Sequence, residues 1–202
     1  MSAEAAATRP DLSRACARLA RLVAAGRVPG AQLAVRWRGE EVYASAAGIA
    51  RGFRAEEGIA PAPVAVDTPF AVFSAGKPVV ATAIAILEAR GHIDLAAPVA
   101  AVMPEFAGGG KASITVLDVL THRSGVLLPA FSQQPEYWRD RVRVRAALAG
   151  AVPVHRTGTL AYAPLEYGWI LGEVVERVSG MPFPDFVERE IAGPLALPEL
   201  RF

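Results

Sequence analysis

The sequence predicts an α+β protein in which a β-hairpin precedes a mainly helical region. Residues 31–37 and 41–48 have the short, partly alternating apolar pattern of strands, and Arg38-Gly39-Glu40 forms a tight turn between them. From about residue 70 onward the apolar spacing is that of helices. A two-stranded hairpin is not a stable sheet alone, so we expect further strands to pair with it.

The elements of the first part follow from local signals. Asp11 or Ser13 can cap a first helix that runs to about Ala25 and is stopped by Gly26. Residues 51–66 are rich in Gly, Pro and Ala and predict a loop. We therefore assign residues 1–69 to an N-terminal helix with a hairpin, and residues 70–202 to a mainly helical domain.

The helical part is divided by glycines and by capping residues. Thr115 is a typical N-cap, and Gly91 and Gly180 are typical stop signals. A loop over residues 126–140 interrupts the series. The helices are predicted at residues 74–90, 116–122, 141–149, 167–179 and 182–192, with Ile170, Leu171, Val174, Val175 and Val178 facing inward in the fourth of them.

Composition excludes several classes of function. Formal net charge is +1, from 21 basic and 20 acidic residues, and no long run of one sign indicates nucleic-acid or membrane binding. The longest apolar run, Pro78 to Leu87, is about half of the roughly 20 residues that a membrane helix needs. The N-terminus lacks the pattern of a secretory signal, so we expect a cytoplasmic protein unless a leader has been removed.

Metal-binding patterns are also missing from the sequence. One cysteine, Cys16, allows neither an internal disulfide nor a cysteine-based metal cluster. His92, His122 and His155 are too scattered for a metal motif, so we expect no metal, and His122 is interpreted as structural. The acidic residues of the helices, Asp118, Glu173 and Glu176, are interpreted as helix-surface or capping charges.

The segment Ser74-Ala-Gly-Lys77 carries the chemistry. Ser-x-x-Lys at the start of a helix places a hydroxyl and an amine about one turn apart on one face. Serine is a poor nucleophile until a base takes its proton, and a lysine amine of lowered pKa can do so. The helix N-terminus favours the developing negative charge. A helix-capping serine followed by a surface lysine also fits this short pattern.

The scarcity of lysine strengthens the catalytic interpretation. Only two of the 21 basic residues are lysines, and one of them is Lys77. Arginine cannot be deprotonated in proteins, so a proton shuttle is a task that only the lysine can perform. The lysine also opens a strongly apolar helix, in which a buried charge is otherwise costly.

Several ordered blocks around this segment resemble the serine β-lactamase-like family, which includes class C β-lactamases, D-amino-acid peptidases, esterases and transacylases. The blocks are residues 70–77, 88–95, 114–125, 162–180 and 193–197, and the similarity extends from about Leu33 to Phe202. The resemblance implies a β-lactamase/transpeptidase-like fold, with an antiparallel sheet flanked by helices and a mainly helical domain. It also implies Ser74 as nucleophile, Lys77 as its activating partner, and no cofactor.

The family's second motif, Tyr-x-Asn, is only partly present. Tyr162 matches the tyrosine, which implies that it acts as a general base together with Lys77, but Pro164 stands at the asparagine position. Proline offers no side-chain amide to a substrate. This departure argues against an efficient β-lactamase, because an ester needs that contact less than a β-lactam or a peptide does.

The family's third motif, on a late sheet strand, is not in this sequence, and with it a second oxyanion-binding N–H is missing. We therefore expect a C-terminal segment or a second chain to complete the sheet and the site. The loop between the first two motifs often walls the substrate cleft in this family. Three aromatic residues of this loop, Phe131, Tyr137 and Trp138, are therefore predicted to contact the substrate. Pro164 is predicted to contact it as well.

The favoured hypothesis is acyl transfer through an acyl-enzyme, by an esterase or an amide/ester transacylase that acts on a small metabolite. A D-peptidase or β-lactamase is the first alternative. The second is a β-lactamase-like module that has lost catalysis and binds a ligand or a partner; the absent third motif favours it, and the joint presence of Ser74, Lys77 and Tyr162 opposes it.

Overall fold

A computed structural model describes residues 9–202 and confirms the α+β class. The chain divides into two compact units, and the boundary along the sequence falls between Ala71 and Val72, two residues beyond the predicted one. The first eight residues, which entered the expectation about a secretory signal, lie outside the described residues.

The first unit is a helix with an antiparallel sheet of order β1-β2-β3. Arg38 and Gly39 both have positive φ, 53° and 85°, which is the geometry of the tight turns that match the twist of a hairpin. The prediction of a loop throughout residues 51–66 is wrong, because a short third strand pairs with β2; its proline and alanine residues lack the alternation of a typical strand. The elements are α1 (Ser13–Ala24), β1 (Gly30–Trp37), β2 (Glu40–Arg51) and β3 (Ala62–Pro63).

The second unit is helical. The predicted loop over residues 126–140 contains two single helical turns. The last predicted helix begins as an α-helix and continues as a π-helix over Glu188–Ala192. The α-helices are α2 (Lys77–Ala89), α3 (Val116–Leu120), α4 (Pro129–Ser132), α5 (Arg141–Gly150), α6 (Glu166–Ser179) and α7 (Phe183–Val187).

The core of this unit forms around α2 and α6. Helix α2 buries one stripe at the helical period, and Pro78 stands in its first turn, where the missing N–H costs nothing. Four of the five predicted inward residues of α6 are fully buried, whereas Val178 is partly exposed. The buried stripes consist of Val80, Ala83, Ile84 and Leu87 on α2 and of Ile170, Leu171, Val174 and Val175 on α6.

Two helix ends carry the predicted signals. At the start of α3 the Thr115 side chain accepts a hydrogen bond from the Asp118 N–H, and the Asp118 carboxylate accepts one from the Thr115 N–H. This reciprocal capping box satisfies two N–H groups that would otherwise lack partners. Gly180 ends α6 in the left-handed conformation, with φ 71°.

The interpretation of Glu173 as a surface charge is wrong. Its side chain is only 6% exposed and forms ion pairs with Arg141, Arg145 and Arg177. Burial alone would raise the pKa of this carboxyl, but the hydrogen bonds from the three guanidinium groups outweigh it and hold the pKa below its ordinary value. Glu173 therefore joins α5 to α6.

The second lysine of the sequence, Lys111, is completely buried. Its ammonium donates hydrogen bonds to three main-chain carbonyls: Gly108 at 2.5 Å, Ala149 at 3.2 Å, and Ala151. These bonds fasten the turn before α3 to the C-terminal end of α5. Burial lowers the pKa of Lys111, while the three acceptors favour the ammonium because only that form offers three donors.

Between residues 9 and 202, no helix has both the length and the apolar character that crossing a lipid bilayer requires.

Candidate active site

Ser74 lies in a tight turn immediately before a helix. Residues Phe73–Gly76 form a 3-10 turn that runs directly into α2, so Ser74 precedes the α-helix rather than occupying its first turn as predicted. Phe73 has φ 46°, a left-handed conformation that is uncommon for a bulky residue, and its side chain is 89% exposed. Such local strain is often found at functional sites.

The hydroxyl of Ser74 is the meeting point of two other polar side chains. The Lys77 ammonium donates a hydrogen bond to Ser74 Oγ over 3.0 Å, and the Tyr162 hydroxyl donates one over 2.7 Å. Lys77 also donates to the main-chain carbonyl of Pro164 over 2.7 Å. The structure thus brings together four of the seven predicted site residues: Ser74, Lys77, Tyr162 and Pro164.

The electrostatics of the site favour ionisation of the tyrosine. The hydrogen bond with Ser74, followed by the hydrogen bond and the positive charge of Lys77, lowers the pKa of Tyr162 below its ordinary value. The Lys77 ammonium lies 4.9 Å from the centre of the Tyr162 ring. A phenolate at this position is therefore stabilised and lies within reach of the Ser74 proton.

His122, interpreted from the sequence as structural, lies beside Tyr162. The two ring centres are 4.8 Å apart with the rings tilted by 45°, and the imidazole also stacks on Tyr167, with ring centres 4.9 Å apart. His122 Nδ1 accepts a hydrogen bond from the Ala163 N–H over 3.1 Å. Burial, followed by the charge of Lys77, lowers the pKa of this imidazole. His122 and Ala163 are 41 positions apart, so no local sequence motif indicated the hydrogen bond between them.

Glu166 is a second residue that the sequence analysis missed. Its carboxylate is almost completely buried at the start of α6 and accepts hydrogen bonds from the Leu128 N–H at 2.7 Å and from the Ser132 hydroxyl at 3.3 Å. The helix N-terminus favours a negative charge at this point. Glu166 therefore fastens the segment that begins the predicted loop over residues 126–140 to the start of α6.

A mostly apolar cleft opens beside Ser74. Pro164 lies on it together with the catalytic candidates Ser74 and Lys77. Its apolar wall is formed by Phe73, Val80, Leu165, Trp169 and Phe202. Such a wall fits an uncharged, apolar portion of a ligand.

The three aromatic residues of the predicted substrate loop do not line that cleft. Phe131 packs edge-on against Trp169, with ring centres 5.4 Å apart, and Tyr137 covers the guanidinium of Arg143. Trp138 lines a second cleft between α5 and α6, which shares Gly168 and Trp169 with the first. A substrate contact for these three residues stays a prediction. Within residues 9–202 no group of histidine, cysteine or acidic side chains could hold a metal ion.

A serine hydroxyl that accepts hydrogen bonds from a lysine and a tyrosine, in a chain with one helical unit and one unit that contains an antiparallel sheet, defines the class of serine β-lactamase-like proteins. The sequence model of the β-lactamase family matches residues 17–202, and the chain belongs to this family.

Individual relatives agree with this assignment. The esterase/β-lactamase LipL of Mycobacterium tuberculosis is 39% identical over 134 residues, which are 66% of this chain and 31% of LipL. The esterase EstB of Burkholderia gladioli is 32% identical over 201 residues, covering 87% of this chain and 47% of EstB. The crystal structure of a penicillin-binding protein homologue from Caulobacter crescentus superimposes with a TM-score of 0.75 at 32% identity, covering 93% of this chain and 49% of that one. The matched part of the chain thus spans 31% to 49% of the length of these relatives.

Proposed function

We propose that this chain carries the nucleophile of a serine-dependent acyl-transfer enzyme that acts on small esters, as an esterase or as an amide/ester transacylase. The observation that carries the proposal is the double hydrogen bond to Ser74 Oγ, from Lys77 at 3.0 Å and from Tyr162 at 2.7 Å. The esterase names of the two curated relatives support the choice of substrate class.

In the proposed acylation, Ser74 Oγ forms a bond to the carbonyl carbon of the ester while its proton passes to the Tyr162–Lys77 pair. The carbonyl oxygen becomes an oxyanion that accepts a hydrogen bond from the Ser74 N–H and from a second N–H. When the tetrahedral intermediate collapses, the carbon–alkoxide bond breaks and the leaving alkoxide takes the proton from the pair. The product is an acyl-Ser74 ester.

In the second half-reaction, water or an acceptor alcohol or amine attacks the acyl-Ser74 ester, and the same pair removes the proton of the attacking group. Collapse of the second intermediate returns that proton to Ser74 Oγ. Lys77 fits this role because its ammonium is held by both the Pro164 carbonyl and Ser74 and lies beside the phenol, where it can exchange a proton with either hydroxyl. No metal or organic cofactor takes part in these steps.

Two features favour an ester over a peptide or β-lactam. Pro164 provides no side-chain amide to a substrate amide; what it contributes is the carbonyl that anchors Lys77. The apolar wall of the cleft fits an uncharged acyl or alkoxy group rather than a peptide rich in polar groups.

The test is intact-mass spectrometry of the purified protein before and after incubation with p-nitrophenyl butyrate. We expect the mass of one butyryl group to be added to wild type and to Ser113→Ala, an exposed serine that serves as the matched control, and not to Ser74→Ala. The starting mass also shows whether further chain accompanies residues 1–202. An adduct on Ser74→Ala would contradict the assignment of the nucleophile.

Hydrolysis of β-lactams or D-peptides is a second candidate, favoured by the similarity to a penicillin-binding protein homologue. Turnover of a chromogenic cephalosporin, measured beside that of p-nitrophenyl butyrate, separates the two. We expect kcat/KM for the ester to exceed that for the cephalosporin by about a hundredfold, because the substrate-amide contact is missing. The reverse ratio would favour the second candidate. A purified full-length protein that forms no adduct with either compound would instead favour the ligand-binding module.

A further inference from the structure

Tyr162 occupies an exposed position that its own packing does not fix. Its side chain is 55% exposed, and it belongs to a stretch, residues 160–163, without regular secondary structure. Yet the proposed chemistry needs its hydroxyl to stay within hydrogen-bonding distance of Ser74 Oγ, and a displacement of about 1 Å can cost a hundredfold in rate. Other residues must therefore hold this stretch in place.

The bonds that hold it converge on His122. The Ala161 N–H donates to the His122 carbonyl over 2.9 Å, and the Ala163 N–H donates to His122 Nδ1 over 3.1 Å. The residues on either side of Tyr162 are thus both fastened to one histidine. The imidazole also packs against the rings of both Tyr162 and Tyr167, with ring centres 4.8 Å and 4.9 Å away.

The bond from Ala163 also defines the state of the imidazole. Nδ1 can accept a hydrogen bond only when it carries no proton, so the ring is neutral and its proton is on Nε2. The groups that face it agree with this state, since they are the Lys77 ammonium and the phenol rings of Tyr162 and Tyr167. The backbone of His122 is unusual as well: its φ is 55°, a left-handed conformation in which histidine and asparagine are enriched.

We propose that His122 is a positioning residue for Tyr162, which sets the phenol against Ser74 chiefly by accepting the Ala163 N–H at Nδ1, while its ring packs at a tilt against the tyrosine ring. The inference rests on the proposed function, in which Tyr162 takes part in proton transfer. It assigns to His122 no contact with substrate.

Two substitutions separate the acceptor from the ring. In His122→Asn the Oδ1 atom is attached to Cγ, as Nδ1 is in histidine, and asparagine tolerates a positive φ, so the acceptor is kept and the ring is lost. In His122→Phe a ring is kept and the acceptor is lost. His92→Asn and His92→Phe are the matched controls, because His92 is exposed in the turn after α2. Thermal denaturation reports whether each variant is folded, and His122→Leu replaces the Phe variant if that one does not fold.

The first measurement is the rate of Ser74 acylation by p-nitrophenyl butyrate, with KM and kcat determined separately. We expect His122→Asn to stay within about threefold of wild type and His122→Phe to lose about ten- to a hundredfold in kcat with KM little changed. If both variants lost the same factor in kcat, and that loss went with a lowered melting temperature, the proposal would be overturned, because His122 would then contribute only to packing. Full activity in His122→Phe would overturn it too.

The second measurement does not depend on turnover. In protein labelled with ¹³C at tyrosine Cζ, the Tyr162 signal is assigned by its loss in Tyr162→Phe, and its titration gives the phenol pKa. We expect His122→Phe to move this pKa upward toward the ordinary value, because the phenol leaves Ser74 and Lys77, and His122→Asn to keep it low. An unchanged pKa in His122→Phe would contradict the inference, whereas absence of acylation in wild type would contradict only the proposed function.

Discussion

The two lysines of this chain occupy opposite environments. Lys77 is half-buried beside the exposed hydroxyls of Ser74 and Tyr162, where its bonds go to one hydroxyl and one carbonyl. Lys111 is completely buried, and its bonds go to three main-chain carbonyls. The chain has 21 basic residues, and all but these two are arginines. Both lysines stand where a small ammonium group is needed. The comparison teaches that the two rare lysines serve two different tasks, of which the proposed proton transfer is only one.

Replacing Lys77 by arginine gives the largest expected effect. We expect Lys77→Arg to lower kcat/KM for p-nitrophenyl butyrate by about a thousandfold, because guanidinium cannot exchange a proton at neutral pH. The free energy of unfolding, measured by urea denaturation, is expected to change by less than about 1 kcal/mol. A variant that kept its activity but lost stability would make the two lysines alike and break the comparison.

Replacing Lys111 gives the opposite pattern. We expect Lys111→Met to lower the free energy of unfolding by about 3 kcal/mol, since three carbonyls lose their donor inside the protein. The acylation rate of the folded protein is expected to stay near that of wild type. Urea denaturation and the intact-mass assay measure the two quantities on the same sample. Stability within about 0.5 kcal/mol of wild type would mean that water replaces the ammonium.

Removing the hydroxyl of Tyr162 sharpens the comparison on the Lys77 side. We expect Tyr162→Phe to reduce the acylation rate by about a hundredfold, a loss typical of a missing general base, with little change in unfolding. Tyr43→Phe, on β2, is the matched control. If Tyr162→Phe acylated as fast as wild type, Lys77 would act alone on Ser74, and the lowered pKa of the phenol would have no catalytic use.

The smallest expected effect concerns pH. The pKa of His122 is lower in the folded protein than its ordinary value of 6.5, so the unfolded chain binds the proton more readily. The stability that neutral His122 contributes is therefore fully present above its ordinary pKa of 6.5, and it is lost as the pH falls through the lower pKa of the folded state. Between about pH 7.5 and about pH 5, the urea midpoint of wild type should therefore fall more than that of His122→Asn, which lacks the titrating group. Parallel curves would contradict the expectation.

Local patterns account for what the sequence predicted correctly. The apolar stripe of α6, its glycine stop and the Thr115 cap are encoded within one or two helical turns. The pairing of Ser74 with Lys77 is local as well, since three residues separate them. The approach of Tyr162 to Ser74, 88 residues away, was expected only through the family resemblance.

The features that were missed depend on residues far apart in the chain. The acceptors of Lys111 come partly from a helix end 38 to 40 residues away, and the three arginines around Glu173 lie on two different helices. A buried charge and a surface charge look the same in a sequence window, because the partners that neutralise them are supplied by the tertiary fold. The third strand was missed because prolines hide its pattern.

The anchoring of Lys77 on the Pro164 carbonyl has a consequence for how this site can change. The acceptor belongs to the main chain, so it is present whatever side chain occupies position 164. Proton transfer and substrate choice are thereby separable: a substitution such as Pro164→Asn could add an amide-binding group and leave the lysine in place. If the site is ester-selective as proposed, position 164 is a point from which a single mutation could turn it toward amides.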